Sequence, residues 1–231
     1  MTPVEEPVRE RLARVVDRIG RAAARAGRRA EDVRLVAVSK TQPTARLVEA
    51  YEAGARTFGE NYVQEAAGKV SALPGAEWHL IGRLQRNKAA KAVSLFSWIE
   101  SVDSARLLEE VSRRAEAAGR VVPVLLEVNL AGEGSKGGVT PGDLARLIEA
   151  AAGLRGVSVR GLMAIPPVSG GAEASRPWFA RLRGLLEGCP PLPGGQRMTE
   201  LSMGMSNDFE AAIEEGATMV RVGTAIFGSR G

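Results

Sequence analysis

The chain has 231 residues, a formal net charge of +4 and 25% charged residues. Its single cysteine and single histidine exclude an internal disulfide and a zinc centre of the usual His/Cys type. No apolar run approaches the roughly 20 residues a membrane helix needs, and 45% apolar residues with only 4% aromatics leave the core to Ala, Val and Leu.

The start, MTPVEEPVRE, is polar and acidic, unlike a signal peptide. Cys189 has no partner within the chain, which fits a reducing compartment. A cytoplasmic location is therefore expected. Arginines alternate with Glu and Asp at helical spacing, which reads as a solvated helix face rather than a nucleic-acid patch.

The first predicted helix is VRERLARVVDRIGRAAARAG. Val8, Leu12, Val15, Val16, Ile19 and Ala23 fall on one face and Gly27 ends it. Strand one is expected over Arg34–Ser39, followed by helix TARLVEAYEAG, closed by Gly54. Strand two is Arg56–Asn61, then helix YVQEAAGKVSAL; strand three is Glu77–Gly82, then a basic helix, QRNKAAKAVSL. Strand four, FSWIES, precedes helix SARLLEEVSRRAEAAG, which stops at Gly119. Strand five is VPVLLEVNL, and Thr140 to Asp143 reads as a capping box opening helix LARLIEAAAG. Strand six is VSVRGLMAI, with helix SRPWFARLRGLLEG. Strand seven is TELSMG, with helix NDFEAAIEEG, and strand eight is TMVRVG.

Strands buried on both faces read as nearly continuous apolar runs, as VPVLLEVNL does. Strict alternation with one extra leading helix predicts an α/β fold, a single (β/α)8 TIM barrel over residues 1–231. A doubly wound open sheet favours a Gly-rich first turn, and the first turn here is SKTQP. The loops PPVSGGAEASRP and CPPLPGGQ read as surface connections.

Active sites of such barrels lie at the C-terminal strand ends. Those ends offer Lys40, Asn61, His79, Gly82, Asn129, Met163, Ser202, Arg221, Gly223 and Thr224. A lysine among apolar side chains is pushed toward its free-amine form and can attack a carbonyl. The plain alternative is a lysine that snorkels at a strand edge. Ser202, Gly204 and Ser206, with Gly223 and Thr224, occupy the last two loops, where barrels of this type often bind phosphate. Asn207 and Glu210 also have helix-cap spacing, and the two readings are compatible. Strand eight closes against strand one, so a ligand with an aldehyde at one end and a phosphate at the other would span the gap. Pyridoxal 5'-phosphate (PLP) has that shape.

The motifs VAVSKTQP, FGENYVQE, WHLIGRLQRNK, LMAIPP and LSMGMSNDFEAAIEEGATMVRVGTAIFG resemble those of the pyridoxal phosphate homeostasis protein family, from about Val33 to Gly228. The resemblance implies a barrel like the N-terminal domain of bacterial alanine racemase, with Lys40 carrying PLP as a Schiff base. It also implies that Ser202, Gly223 and Thr224 hold the phosphate, that Asn61 and Met163 line the ring, and that Arg221 faces the pyridine nitrogen. The family has no established catalytic activity, which implies buffering of PLP and its delivery to apo forms of PLP-dependent enzymes.

PLP is a strong electron sink when its ring nitrogen is protonated. Arginine cannot accept a proton there, so Arg221 would leave the sink weak. A racemase-like enzyme, the alternative reading, needs a second acid–base. Tyr51 lies within a helix and Tyr62 just past a strand end, so only Tyr62 is a candidate. A third reading, a Schiff-base aldolase acting on a sugar phosphate, needs no PLP. His79 reads as a core histidine and Lys136 as a solvent or loop lysine. The basic helix from Arg83 to Lys91 reads as a solvated face. No catalytic residue or metal site is assigned, and a monomer is expected.

Overall fold

A computed structural model describes residues 6–134, 136–167, 170–192 and 195–228. Val168, Ser169, Pro193 and Gly194, which belong to the two proline- and glycine-bearing loops, and the first five residues lie outside that description.

Eight parallel strands close into one barrel in sequence order. They are β1 Arg34–Val38, β2 Thr57–Glu60, β3 Glu77–Leu80, β4 Trp98–Val102, β5 Val122–Glu127, β6 Val157–Met163, β7 Glu200–Ser202 and β8 Met219–Val222. The helices are α1 Val8–Arg25, α2 Thr44–Glu52, α3 Val63–Ala72, α4 Ala89–Leu95, α5 Ala105–Ala117, α6 Leu144–Ala150, α7 Ala172–Glu187, α8 Phe209–Glu214 and α9 Thr224–Phe227. The ring closes where β1 pairs with β8, Val36 opposite Arg221 and Ala37 opposite Val222.

The expected barrel and leading helix are present, with differences in detail. Every ladder but β4, which runs one residue further to Val102, ends a residue or more earlier than expected, and Lys40, Asn61, Gly82 and Asn129 sit in the turns beyond the ladders. α7 starts at Ala172, which puts Pro177 inside the helix. α9 was not anticipated, because four residues are too short to show a period. Val16 is 53% exposed: the buried stripe of α1 is Val8, Leu12, Val15, Ile19, Ala22 and Ala23. Burying each large aliphatic side chain of that stripe contributes about 1.5–3 kcal/mol. The stripe packs α1 against α2, α8 and α9, on either side of the β8–β1 seam.

Gly119, at φ 64°, ends α5 as expected, and the Arg120 N–H reaches back to Ala115 O at 2.9 Å. Thr140 Oγ1 accepts the Asp143 N–H at 3.3 Å, but α6 begins only at Leu144, so this bond closes a turn ahead of the helix and the expected capping box is not formed.

Period-two alternation sorts each strand between two environments. Trp78 and Leu80 of β3, Leu201 of β7, and Val220 and Val222 of β8 join the core between strands and helices. Inside the barrel, Leu125, Met163 and Met219 form a small apolar cluster packed against Trp98. Much of the remaining interior is polar, and that polarity shapes the site.

Candidate functional site

β1 carries the chain to Ser39, which is fully buried, and then to Lys40, which is half-buried. Thr41 follows at φ 63°, a left-handed conformation that β-branched residues rarely adopt. The turn closes with the Gln42 N–H donating to Ser39 O at 3.1 Å. Lys40 thus rises from the first strand at the C-terminal end of the barrel.

Arg221, one strand away on β8, points inward and is 4% exposed. Its guanidinium donates to Ser202 Oγ at 2.6 Å and to Ala164 O at 2.9 Å. Ser202 Oγ donates in turn to Glu100 Oε2 at 2.5 Å. Glu100 Oε1 lies 2.5 Å from His79 Nδ1, and His79 Nε2 lies 2.8 Å from Glu77 Oε1. Arg34 Nη1 donates to Glu77 at 3.2 Å. This column runs up the barrel from its N-terminal end, where Glu77 and Arg34 are part-exposed.

Burial alone would drive the His79 imidazole neutral. Hydrogen bonds to Glu100 and Glu77 outweigh that, and its pKa lies above the ordinary value. Burial likewise pushes the Glu100 carboxyl up, but His79, Arg221 and Ser202 hold it below the usual carboxylate range. Burial lowers the pKa of Arg221, opposed by Glu100 and Glu127. His79 is therefore a core histidine, as expected, but one clamped between two carboxylates.

The last two loops meet at one hydroxyl. Ser206 Oγ accepts the Gly223 N–H at 3.3 Å and the Ala225 N–H at 3.2 Å. Gly204 has φ 89°, and a Cβ there would lie 2.5 Å from the Ala212 Cβ, so the β7–α8 turn requires glycine. Gly223 passes so close to β1 that its Cβ would sit 3.3 Å from Val38 O. The residue before α8 is Asp208, not the expected Asn207; its Oδ1 accepts the Met205 N–H at 2.7 Å. Glu210 instead pairs with Arg18 at 2.7 Å.

The sequence-predicted residues divide into groups. Lys40, Gly223 and Thr224 lie side by side across the β1–β8 seam. Ser202 is fully buried and committed to Glu100 and Arg221; the hydroxyl bonded to the loop amides is that of Ser206. Met163 is fully buried in the interior cluster. Asn61 follows β2, and its Oδ1 is buried without a hydrogen-bond partner. Gly82 lets the β3 turn pass there: a Cβ would fall 2.4 Å from Asn61 O. Asn129 is spent on its own loop, donating to Glu133 O at 2.9 Å.

Sequence reasoning missed Glu127, at the end of β5. It is 9% exposed, and burial together with Asp103 raises its pKa. A buried carboxylate in an otherwise apolar strand, VPVLLEV, was the signal available. The basic segment is not simply a solvated face. Arg83, Arg86 and Lys88 line a cavity of about 750 Å³ with Asn61, Tyr62 and Arg106. Tyr62 is 62% exposed there. Lys136 contacts its loop, donating to Glu133 at 2.9 Å and to Pro166 O at 3.3 Å. Among the described residues no helix is long and apolar enough to cross a membrane, and no cluster of three or more His, Cys, Asp or Glu could hold a metal ion.

Residues 12–231 match the family described as alanine racemase, N-terminal domain. The chain is 46% identical over 225 residues to the pyridoxal phosphate homeostasis protein of Pseudomonas aeruginosa, covering 96% of each. It is 42% identical over 228 residues to the protein of that name from Escherichia coli, covering 95% of each. Among solved structures, PipY of Synechococcus elongatus with PLP bound superposes with a TM-score of 0.83 at 42% identity. That match covers 96% of this chain and 100% of PipY.

Proposed function

This chain belongs to the pyridoxal phosphate homeostasis protein family, and from that premise we propose that it binds PLP reversibly through a Schiff-base linkage to Lys40, buffering the cofactor and delivering it to apo-enzymes. The observation that carries the reading is the β1–β8 seam. It sets a lysine beside a pair of backbone N–H groups, with a buried arginine on the next strand.

The residues present fit the cofactor. The Gly223 and Ala225 amides already hold one hydroxyl oxygen, that of Ser206, and a phosphate oxygen is a stronger acceptor for the same donors. Thr224 opens α9 between them. The unpartnered Asn61 Oδ1 is an acceptor awaiting a donor. Bound there, PLP would supply an aldehyde for the Lys40 amine and an electron-withdrawing ring.

What the chain's own residues do points to holding rather than catalysis. Arg221 keeps its protons on nitrogen and donates, so a ring nitrogen beside it stays unprotonated. Ser202 and Ala164 fix its guanidinium. Tyr62 is mostly exposed and makes no side-chain hydrogen bond among those described, so nothing holds its hydroxyl for proton transfer, as a racemase would require. The homologues are named as homeostasis proteins, which supports the same reading.

The test is a visible absorption spectrum of the purified protein titrated with PLP, then borohydride reduction and peptide mass mapping. A band lost on reduction, with the pyridoxyl mass on Lys40, is expected. Label scattered over surface lysines, or no band, would overturn the reading. Assay of alanine racemisation on the same sample separates carrier from enzyme.

A further inference from the structure

We infer that Lys69 and Glu65 of α3 are positioning residues for Lys40, a clasp that fixes the backbone on both sides of it; this rests on the reading of Lys40 as the covalent anchor. The Lys69 ammonium donates to Ser39 O at 2.7 Å, to Glu60 Oε1 at 2.8 Å and to Glu65 Oε1 at 2.7 Å. Ser39 Oγ donates to the same Glu60 oxygen at 2.6 Å. The Thr41 N–H donates to the same Glu65 oxygen that Lys69 holds. The residue before Lys40 and the residue after it are thus tied to one ammonium, Ser39 directly and Thr41 through a single carboxylate.

This is an expensive arrangement for a helix that only needs to pack. Lys69 is 6% exposed and Glu60 is fully buried. A buried ion loses several kcal/mol of hydration, about what its partners must return. All three ammonium protons are used, yet Glu60 Oε2 is left without a partner, and burial raises the Glu60 pKa. An apolar residue at position 69 would continue the inward face of Val63 and Ala66. Packing therefore does not explain the charge.

Geometry at Lys40 does. Thr41 sits at φ 63°, a left-handed conformation that is strained in an L-residue. The Glu65 bond to its N–H helps hold that turn. The backbone angles of residues 39–41 set the direction in which Lys40 leaves the barrel rim. Asn61 follows Glu60 directly, so the clasp also ties the β2 end to the β1 end. An amine held in one direction reacts as if highly concentrated, whereas a misplacement of about 1 Å can cost up to 100-fold.

Glu65→Ala removes the link to Thr41 and leaves Lys69 paired with Glu60 and Ser39. Thr41→Gly keeps the backbone N–H that Glu65 holds and relieves the positive φ, so it serves as the control in which the clasp is intact. Three quantities are read on the full-length protein: the PLP dissociation constant from visible absorption, the fraction of borohydride-fixed label on Lys40, and the thermal midpoint without PLP. Glu65→Ala should bind PLP about tenfold more weakly, with label spread to other lysines, while Thr41→Gly keeps the wild-type affinity and midpoint. Lys69→Met should lose more, and Lys69→Arg, which keeps the charge, should recover part of that loss.

Wild-type affinity and labelling in Glu65→Ala, or a loss no larger than its fall in midpoint, would overturn the clasp and leave the Lys40 reading intact. A wild-type protein that takes no label at Lys40 would overturn both.

Discussion

His79 Nδ1 lies 2.5 Å from a carboxylate oxygen of Glu100, and both side chains are completely buried at the centre of the barrel. Most barrels fill this space with aliphatic layers. Here a column of alternating charge runs from Arg34 through Glu77, His79 and Glu100 to Ser202 and Arg221. Each member restrains the next, so the guanidinium at its upper end has one orientation. The column lets a buried arginine persist beside the place proposed for the cofactor, where it would act as a hydrogen-bond donor.

Removing one partner of a buried pair leaves the other uncompensated. Glu100→Gln should therefore lower unfolding free energy by about 3–5 kcal/mol, read from urea denaturation. The same variant should weaken PLP binding, because Ser202 loses its acceptor and Arg221 its restraint. Unchanged stability would show that the column carries no net charge pairing.

The pH dependence of stability follows from the same pair. The folded pKa of His79 lies above its ordinary value of 6.5, so the folded state retains a proton that the unfolded state has released. That contribution is complete below about 6.5 and is lost as pH rises through the folded value. Glu100 works in the opposite sense. Its folded value lies below 4.5, so its contribution is present above 4.5 and is lost as pH falls through the folded value. Urea midpoints across pH should form a plateau with a limb on each side, and His79→Gln should remove the alkaline limb.

Glu127 should behave as a liability to the fold. Burial raises its pKa, so the unfolded state releases the proton more readily, and stability declines as pH rises from the unfolded value through the folded one. Glu127→Gln keeps the shape without the charge and should raise the urea midpoint at neutral pH. A lowered midpoint would mean that its attraction to Arg221 outweighs the burial.

Gly82→Ala tests the close approach of two turns. Its Cβ would meet Asn61 O at 2.4 Å and Asn61 Cα at 2.6 Å, both backbone atoms that a rotamer change does not move. Crowding of this kind typically costs about 1–3 kcal/mol. The thermal midpoint should fall, and PLP affinity should fall with it as Asn61 is displaced. Retained affinity would remove Asn61 from the set that touches the cofactor.

The alternation of apolar runs and helices made the barrel legible, and the strand-end rule picked out Lys40, Asn61 and Gly223, which follow the C-terminal ends of β1, β2 and β8. Ser202 shows where the rule stops. A serine at a strand end has two faces open to it, and only the closed barrel shows that its hydroxyl turns inward to Glu100. Glu77 and His79 on β3, Glu100 on β4 and Arg221 on β8 come from three separate strands, so no local pattern joins them. Lys69 and Glu60 did leave a trace: a lysine at a position of α3 where helical spacing calls for an apolar residue. Val16 was misread because it lies at the edge of the stripe set by Leu12, Val15 and Ile19, where nothing packs over it and it stays 53% exposed.

The pairing of β1 with β8 joins the beginning of the barrel to its end. During synthesis, Lys40 leaves the ribosome well before Arg221, Gly223 and Ala225. On the proposed reading, a nascent chain that stops short of β8 carries the amine without the donors that would retain PLP. Cofactor capture would then wait for β8, and a growing chain would not draw on the supply of a reactive aldehyde.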